Sequence, residues 1–210
     1  MDVAFDRLLT PRLVIRRFAP SDAGAFSRYR SIPEVARFQS WSAPYPLEQA
    51  EAFVGWLADE HPDAPGEWFQ LAIAMRDRPD ELIGDCGFRA RGKEPAIADI
   101  GFTLDPAAQG HGYATEAIGE VLRYLFEDRG KHKVCADCDT RNDRSWRLLE
   151  RLGFQREGEL REAFRDPDCW ASEYLYGLLA SAWRAASDGR SIGAGGVRAV
   201  APARPARPAR

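Results

Sequence analysis

The apolar run from Leu13 to Phe18 reads as a strand, and Ser21 or Asp22 after it caps a short helix through Tyr29. A second helix is predicted from Pro46 to Asp59, where Leu47, Ala50, Phe53, Val54 and Leu57 recur at helical spacing and face inward. Three strand-like runs come next: Trp68 to Met75, Leu82 to Ala90 and Ile97 to Leu104. The turn-forming stretches between them, Asp77-Arg78-Pro79-Asp80 and Arg91-Gly92-Lys93-Glu94-Pro95, predict antiparallel hairpins. The period then changes. A helix runs from Tyr113 to about Asp128, a strand from Lys133 to Cys138, a helix from Asn142, and strands start at Phe154 and Ser172. This order predicts an α+β (mixed αβ) fold: one central, mostly antiparallel twisted sheet of six to seven strands, with helices on both faces.

The junction after the third of those runs carries chemistry. Ile100, Phe102 and Leu104 end at Asp105-Pro106, a small-residue loop follows, and the next helix opens at Tyr113. Such a turn leaves several backbone N–H groups unpaired at the positive end of a helix dipole. Gly110 and Gly112, lacking Cβ, let a ligand approach the backbone closely. An anion site is predicted, with a phosphate as the anion. A nucleotide-hydrolysing loop needs Gly-Lys-Ser/Thr, and no lysine follows Gly112. A dinucleotide fingerprint needs a third glycine at position 115, which is Thr. The spacing Gln/Arg-x-x-Gly-x-Gly/Ala is the one met, by Gln109, Gly112 and Ala114.

Farther along, Asn142 suits a helix start, and Trp146, Leu149 and Leu152 keep a helical apolar period. Gly153 suits the left-handed cap that returns the chain to a strand at Phe154. Gln109-x-x-Gly112-x-Ala114, followed by Asn142, Ser145, Leu149, Gly153 and Phe154, resembles the GNAT superfamily of acyl-CoA N-acyltransferases. The opening Leu9-Thr10-Pro11-Arg12-Leu13-Val14-Ile15-Arg16-Arg17-Phe18 resembles its RimJ/RimL-type, acetyltransferase-3-like branch. So do the Asp22 helix, Phe38-Gln39-Ser40-Trp41, and Trp170 to Leu179. The likeness spans roughly residues 7 to 185, a whole domain.

That resemblance implies transfer of an acetyl group from acetyl-CoA, or another acyl-CoA, to a primary amine by direct attack in a ternary complex, with no metal. The amine would belong to a protein N-terminus or to a small molecule such as an aminoglycoside-type antibiotic. A non-catalytic acyl-CoA-binding module is the alternative from another class, and a nucleotide-binding protein is a third. The resemblance further implies that the loop Gln109, Gly110, His111, Gly112, Tyr113 and Ala114 holds the diphosphate. Phe102, Thr103 and Leu104 would pair by backbone with the pantetheine arm, two strands would splay to admit it, and Asn142 would hydrogen-bond the cofactor. Asp99 stands where the family's Ala-Glu-Ile-Gly-Tyr-type strand often carries Glu, here Ala98-Asp99-Ile100-Gly101-Phe102. It is the expected base, and its shorter reach calls for an intervening water. Asp85 on the preceding strand is the next candidate. Leu149 occupies a position where many members place a tyrosine donor, so Ser145 is the expected proton donor. Phe38, Trp41 and Tyr45, with Trp56, are expected around the acceptor, although such aromatics serve as readily in a core. Glu116, in the first helical turn beside the anion loop, is expected to be structural, because a carboxylate aimed at phosphate would repel it. His61 and His132 have no nucleophile at useful spacing, so a hydrolase triad is not supported.

Composition narrows the setting. With 45% hydrophobic and 29% charged residues the chain is an ordinary globular one, expected to form one domain over residues 1–186. No run of 18 apolar residues exists, and Met1 to Leu9 holds two aspartates in place of the apolar stretch a signal peptide needs. Four cysteines are too few for a disulfide scaffold, so a cytoplasmic protein without membrane attachment is expected. Cys135 and Cys138 lie in one strand at an odd spacing, on opposite faces, with no second pair or histidine cluster to complete a metal site. Five of the 29 Lys+Arg fall in residues 190–210, leaving 24 against 32 acidic residues, a net of −8. An acidic body favours a cationic substrate over nucleic acid, or serves solubility alone. From Ser187 onward Gly, Ala, Pro and Arg dominate and end in three Pro-Ala-Arg copies, which predicts a disordered tail over 187–210. A homodimer is left open.

Overall fold

The computed structural model of the chain describes residues 5–58, 60–62, 64–166 and 169–191. The elements are, in chain order, β1 (Arg7–Leu9), β2 (Leu13–Arg16), α1 (Ala23–Arg30), α2 (Pro33–Ala36), α3 (Leu47–Leu57), β3 (Phe69–Met75), β4 (Leu82–Arg91) and β5 (Glu94–Leu104). There follow α4 (Tyr113–Arg123) with a π turn at Tyr124–Asp128, β6 (Lys133–Asp139), α5 (Asp143–Arg151), β7 (Gln155–Arg165), β8 (Trp170–Leu179) and α6 (Ala180–Ser191). The strands form one sheet in the order β1-β2-β3-β4-β5-β6-β8-β7. It is the mixed αβ, mostly antiparallel sheet that the pattern predicts. The eighth strand is the short β1, which pairs with β2 through the turn at Thr10-Pro11-Arg12.

Among the described strands only β5 and β6 pair in parallel, because α4 carries the chain back across the sheet between them. The β4–β5 hairpin is tighter than its turn residues suggest: Arg91 pairs with Glu94 across Gly92-Lys93, so β5 starts three residues before Ile97. Both sheet faces are covered. On one, Leu71 and Ile73 of β3, Ile100 of β5 and Val134 of β6 pack under Ile118, Val121 and Leu122 of α4 and Leu149 of α5. On the other, Ala72 and Leu82 meet Phe26 and Tyr29 of α1 and Ala50, Val54 and Leu57 of α3. Full burial of each such large side chain contributes about 1.5–3 kcal/mol, so these two layers dominate the stability of the sheet.

Of the α3 residues expected inward, Leu47 is 50% exposed, since it stands at the first helical position, one turn ahead of the buried Ala50. The shift in composition at Ser187 does not end α6, whose backbone stays helical to Ser191. The remainder of the expected tail, 192–210, lies outside the described residues. Among those residues no helix is long and apolar enough to cross a membrane.

Candidate active site

The turn from β5 into α4 has the conformation that its glycines permit. Gly110 and Gly112 take φ of +82° and +80°, where a Cβ would be strained. Gly112 is the N-cap of α4, and the N–H of Glu116 is the first to reach back to a helical carbonyl, that of Gly112 at 3.1 Å. The amides of Tyr113, Ala114 and Thr115 thus lie ahead of the helical ladder. Gln109 braces the loop, donating through Nε2 to the Leu104 carbonyl at 3.1 Å. Its Oε1 accepts from Arg144 of α5 at 2.5 Å, so the loop and the N-terminus of α5 touch.

A clasp from the start of the chain holds this loop. Glu116 accepts hydrogen bonds from Thr10 Oγ1 at 2.6 Å, from the Arg12 backbone N–H at 2.9 Å and from Arg12 Nε at 2.6 Å. The same guanidinium donates through Nη1 to the His111 carbonyl at 3.0 Å and lies 4.6 Å from the centre of the Tyr113 ring. Burial pushes the Glu116 carboxyl up, but the bonds from Thr10 and Arg12 outweigh it and hold the pKa below its ordinary value. The carboxylate is therefore engaged by Thr10 and Arg12 and turned from the space ahead of the helix start.

Beside the loop the sheet opens. Strands β5 and β6 pair over three rungs, Ile97 with Lys133, Ala98 with Val134 and Asp99 with Cys135. Beyond Asp99, β5 continues to Leu104 bonded only to β4, while β6 continues to Asp139 bonded only to β8. One edge of Phe102, Thr103 and Leu104 therefore faces a wedge-shaped gap free of any partner strand, directly upstream of the glycine loop, with the Leu104 carbonyl taken by Gln109. An extended arm with amide groups could pair there as a strand would.

Asn142 and Ser145 stand on the far side of the gap. Asn142 caps α5, its side chain accepting from the Ser145 N–H at 3.3 Å. The Ser145 hydroxyl hydrogen-bonds the Cys138 thiol, whose pKa burial pushes up to about 11. Leu149 is 1% exposed and belongs to the core.

Asp99 stands at the apex of the wedge with both oxygens engaged. Arg91 donates to Oδ1 through Nε at 3.0 Å and Nη2 at 2.6 Å, and Arg89 donates to Oδ2 at 3.2 Å. These three residues line an open cleft of about 460 Å³ together with Gly66, Gly92 and Asp137. Beside it Trp68 lies across two glycines, 3.3 Å and 3.8 Å from where a Cβ on Gly87 or Gly101 would stand.

A glycine loop at a helix start, a strand edge beside it and a cleft at the apex make an arrangement that could take an extended, phosphate-bearing ligand. A profile of the Acetyltransferase (GNAT) domain matches residues 12–155. The chain belongs to the GNAT acetyltransferase family. It is 30% identical to the uncharacterized N-acetyltransferase YnaD of Bacillus subtilis (strain 168), over 84% of this chain and 98% of that protein. It is 29% identical to the ribosomal protein uS5-alanine N-acetyltransferase of Escherichia coli (strain K12), over 84% of this chain and 92% of that one. Among solved structures, the GNAT-family acetyltransferase from Bacillus anthracis superposes with a TM-score of 0.74 at 25% identity, covering 83% of this chain and 99% of that one.

Within this GNAT protein the other expected residues fall in several places. Asp85 is 1% exposed and enclosed in the wall, accepting from the Tyr29 hydroxyl, the Gln70 amide and Arg30, the last at 3.2 Å. Trp41 and Tyr45 are similarly taken up: with Phe26 they ring the Arg30 guanidinium, which lies 3.8 Å from the Trp41 centre and 3.9 Å from that of Phe26. Trp56 is 48% exposed on α3. Phe38 differs, reaching from the end of α2 to within 5.8 Å of the Arg141 guanidinium beyond β6. Cys135 and Cys138 are both buried and free, and no metal cluster occurs among the described residues.

Two residues were not anticipated. Arg12 lies in a recognisable stretch, but no local pattern links it to Glu116, 104 positions away. Asp137 was legible: Val134, Ala136 and Cys138 face the α4–α5 core, so alternation turns Cys135, Asp137 and Asp139 to the other side.

Proposed function

We propose that this GNAT protein transfers an acetyl group from acetyl-CoA to a cationic primary amine, by direct attack within a ternary complex. The observation that carries the reading is the end of β5–β6 pairing at Asp99 and Cys135, beside a loop with two left-handed glycines. The amides of residues 110 to 115 hold the diphosphate, each charge-assisted bond contributing about 1.5–3 kcal/mol. The free edge of Phe102, Thr103 and Leu104 pairs with the pantetheine amides and leads the thioester toward Asp99. An unpaired N–H on that edge stabilises the oxyanion, and the Ser145 hydroxyl gives a proton to the departing sulfur.

The acceptor enters from the opposite face of the sheet, where Asp137 and Glu173 stand near the paired Asp99 and Asp139. Carboxylates there favour an ammonium group. A protein N-terminus, the kind of group acted on by the uS5-alanine relative, and a small polycation both meet that requirement. The test is to mix the protein with acetyl-CoA and a panel of an alanine-initiated peptide, spermidine and an aminoglycoside, and to follow thiol release. Turnover with one of them supports transfer. The second reading, a non-catalytic acyl-CoA-binding module, draws on the engaged carboxylate of Asp99 and the buried leucine at position 149. Heat on titration with acetyl-CoA but no thiol release from any amine would favour it. Thermal stabilisation by ATP or NAD and none by coenzyme A would refute both.

A further inference from the structure

The amine must lose a proton as it is acylated, and Asp99, pinned on both oxygens by guanidinium groups, is badly placed to take it. Resting on the transfer reading above, we propose that Asp137 of β6 is the proton acceptor and that Asp99 is a positioning residue that holds Arg89 and Arg91 across the apex.

Position is the first argument. Asp99 and Cys135 form the last rung between β5 and β6, and Asp137 lies one same-face step beyond it, where β5 has already turned away. Its side chain lines the open cleft with Asp99, on the face opposite the anion loop and α4. A thioester drawn through the wedge from the loop side would meet an amine from the cleft side at that step.

Availability is the second. Asp139 is taken by Arg141, with contacts at 2.9 Å and 2.5 Å, Asp85 is sealed in the wall, and Glu116 is on the other side of the sheet under Arg12. Among the described residues Asp137 forms no ion pair, its carboxylate takes a hydrogen bond from its own backbone N–H, and it lines the open cleft. The groups facing it are Asp99 on β5, Arg89 and Arg91 on β4, and Glu173 on β8, with Cys135 and Asp139 on its own strand. Desolvation and the Asp99 charge raise its pKa against Arg89, Arg91 and the hydrogen bond from its own backbone N–H. This moves a carboxylate toward the working range of a general base. Glu173 is raised for like reasons, but it stands on β8, one strand farther from the gap.

In the reaction the bound ammonium group first gives one proton to bulk water, and the nitrogen lone pair so freed adds to the thioester carbonyl carbon as the C–N bond forms. The nitrogen becomes acidic as it does so and releases one proton to the Asp137 carboxylate, directly or across one water. The tetrahedral intermediate expels the thiolate with C–S cleavage, the sulfur takes the Ser145 hydroxyl proton as water reprotonates Ser145, and Asp137 returns its own proton to bulk water.

The experiment compares the wild type with Asp137→Asn and Asp99→Asn, using acetyl-CoA with an alanine-initiated peptide and with spermidine. Thiol release is measured from about pH 5 to 9, and acetyl-CoA affinity by calorimetry. Asp137→Asn should lower kcat by about 10²–10⁴-fold, with acetyl-CoA affinity unchanged and the acidic limb of the pH profile abolished. Asp99→Asn should keep that limb, shifted toward lower pH because a like charge beside Asp137 is gone. Near wild-type turnover by Asp137→Asn with its acidic limb intact overturns the assignment, as does loss of the limb in Asp99→Asn alone. Acetyl-CoA heat with no turnover by the wild type removes the need for any base. Absence of that heat strikes the transfer reading itself.

Discussion

Gly112→Ala separates the strain of the anion loop from its ligand contacts. An L-residue held at φ near +80° costs about 1–2 kcal/mol. The added Cβ would stand 3.5 Å from Arg12 Nη2, an ordinary contact with the end of a flexible side chain, so no clash adds to that cost. For a domain of this size the melting temperature should fall by about 2–8 °C, leaving a folded protein at room temperature. The strain is relieved by rotation at Gly112, which turns the amides on either side of it away from a common point. Loss of one charge-assisted bond to phosphate, about 1.5–3 kcal/mol, weakens acetyl-CoA binding by roughly 10–160-fold. Gly112→Glu, adding negative charge at the same spot, should abolish binding. Calorimetric titration with acetyl-CoA and a thermal melt read the two effects separately. A variant that melts lower as the strain requires, yet binds acetyl-CoA within about twofold of wild type, would refute the role of these amides.

Three other outcomes follow from the same contacts. Glu116 has a lowered folded-state pKa, so its stabilising share is full above the ordinary carboxylate range and is lost as pH falls through the folded value. The stability gap between wild type and Glu116→Gln should shrink between about pH 5 and pH 3 in chemical denaturation, and a constant gap would count against the clasp. Asp85→Ala leaves the Arg30 guanidinium buried without its carboxylate and should cost about 3–5 kcal/mol, seen as a melting temperature lower by about 6–20 °C. A loss below 1 kcal/mol, on the order of an exposed pair, would show that the aromatic ring around Arg30 suffices. Cys86, Cys135 and Cys138 are buried and Cys169 is exposed, so a thiol reagent should titrate one of the four cysteines in the native protein and all four in denaturant.

The order of strands and helices could be read from the chain because each element declares itself locally. Leu71, Ile73, Ile118 and Val121 sit at the spacings that strand and helix impose. The positive φ of Gly110 and Gly112 and the cap at Asn142 are likewise set by near neighbours. The glycine loop of the candidate site is a run of consecutive residues, and for that reason its conformation was legible. The acceptor half was not. Trp41 and Tyr45 look like cleft aromatics in sequence, and only packing shows them closed around Arg30. Asp99 looks like a free base until the β4–β5 register brings Arg89 opposite it and the hairpin end brings Arg91.

By itself, then, the sequence determined the secondary structure, the glycine turn and the residues available to meet an anion, all properties of segments a few residues long. Tertiary structure alone decided where β5 and β6 part, which carboxylates are already neutralised and which one still opens to the cleft. Those are outcomes of pairings such as Arg12 with Glu116, across 104 positions, and Asp99 with Cys135, across an intervening helix. Charge pairing acts through space over a few ångströms and leaves no period along the chain, so a carboxylate's freedom cannot be read before its neighbours are in place.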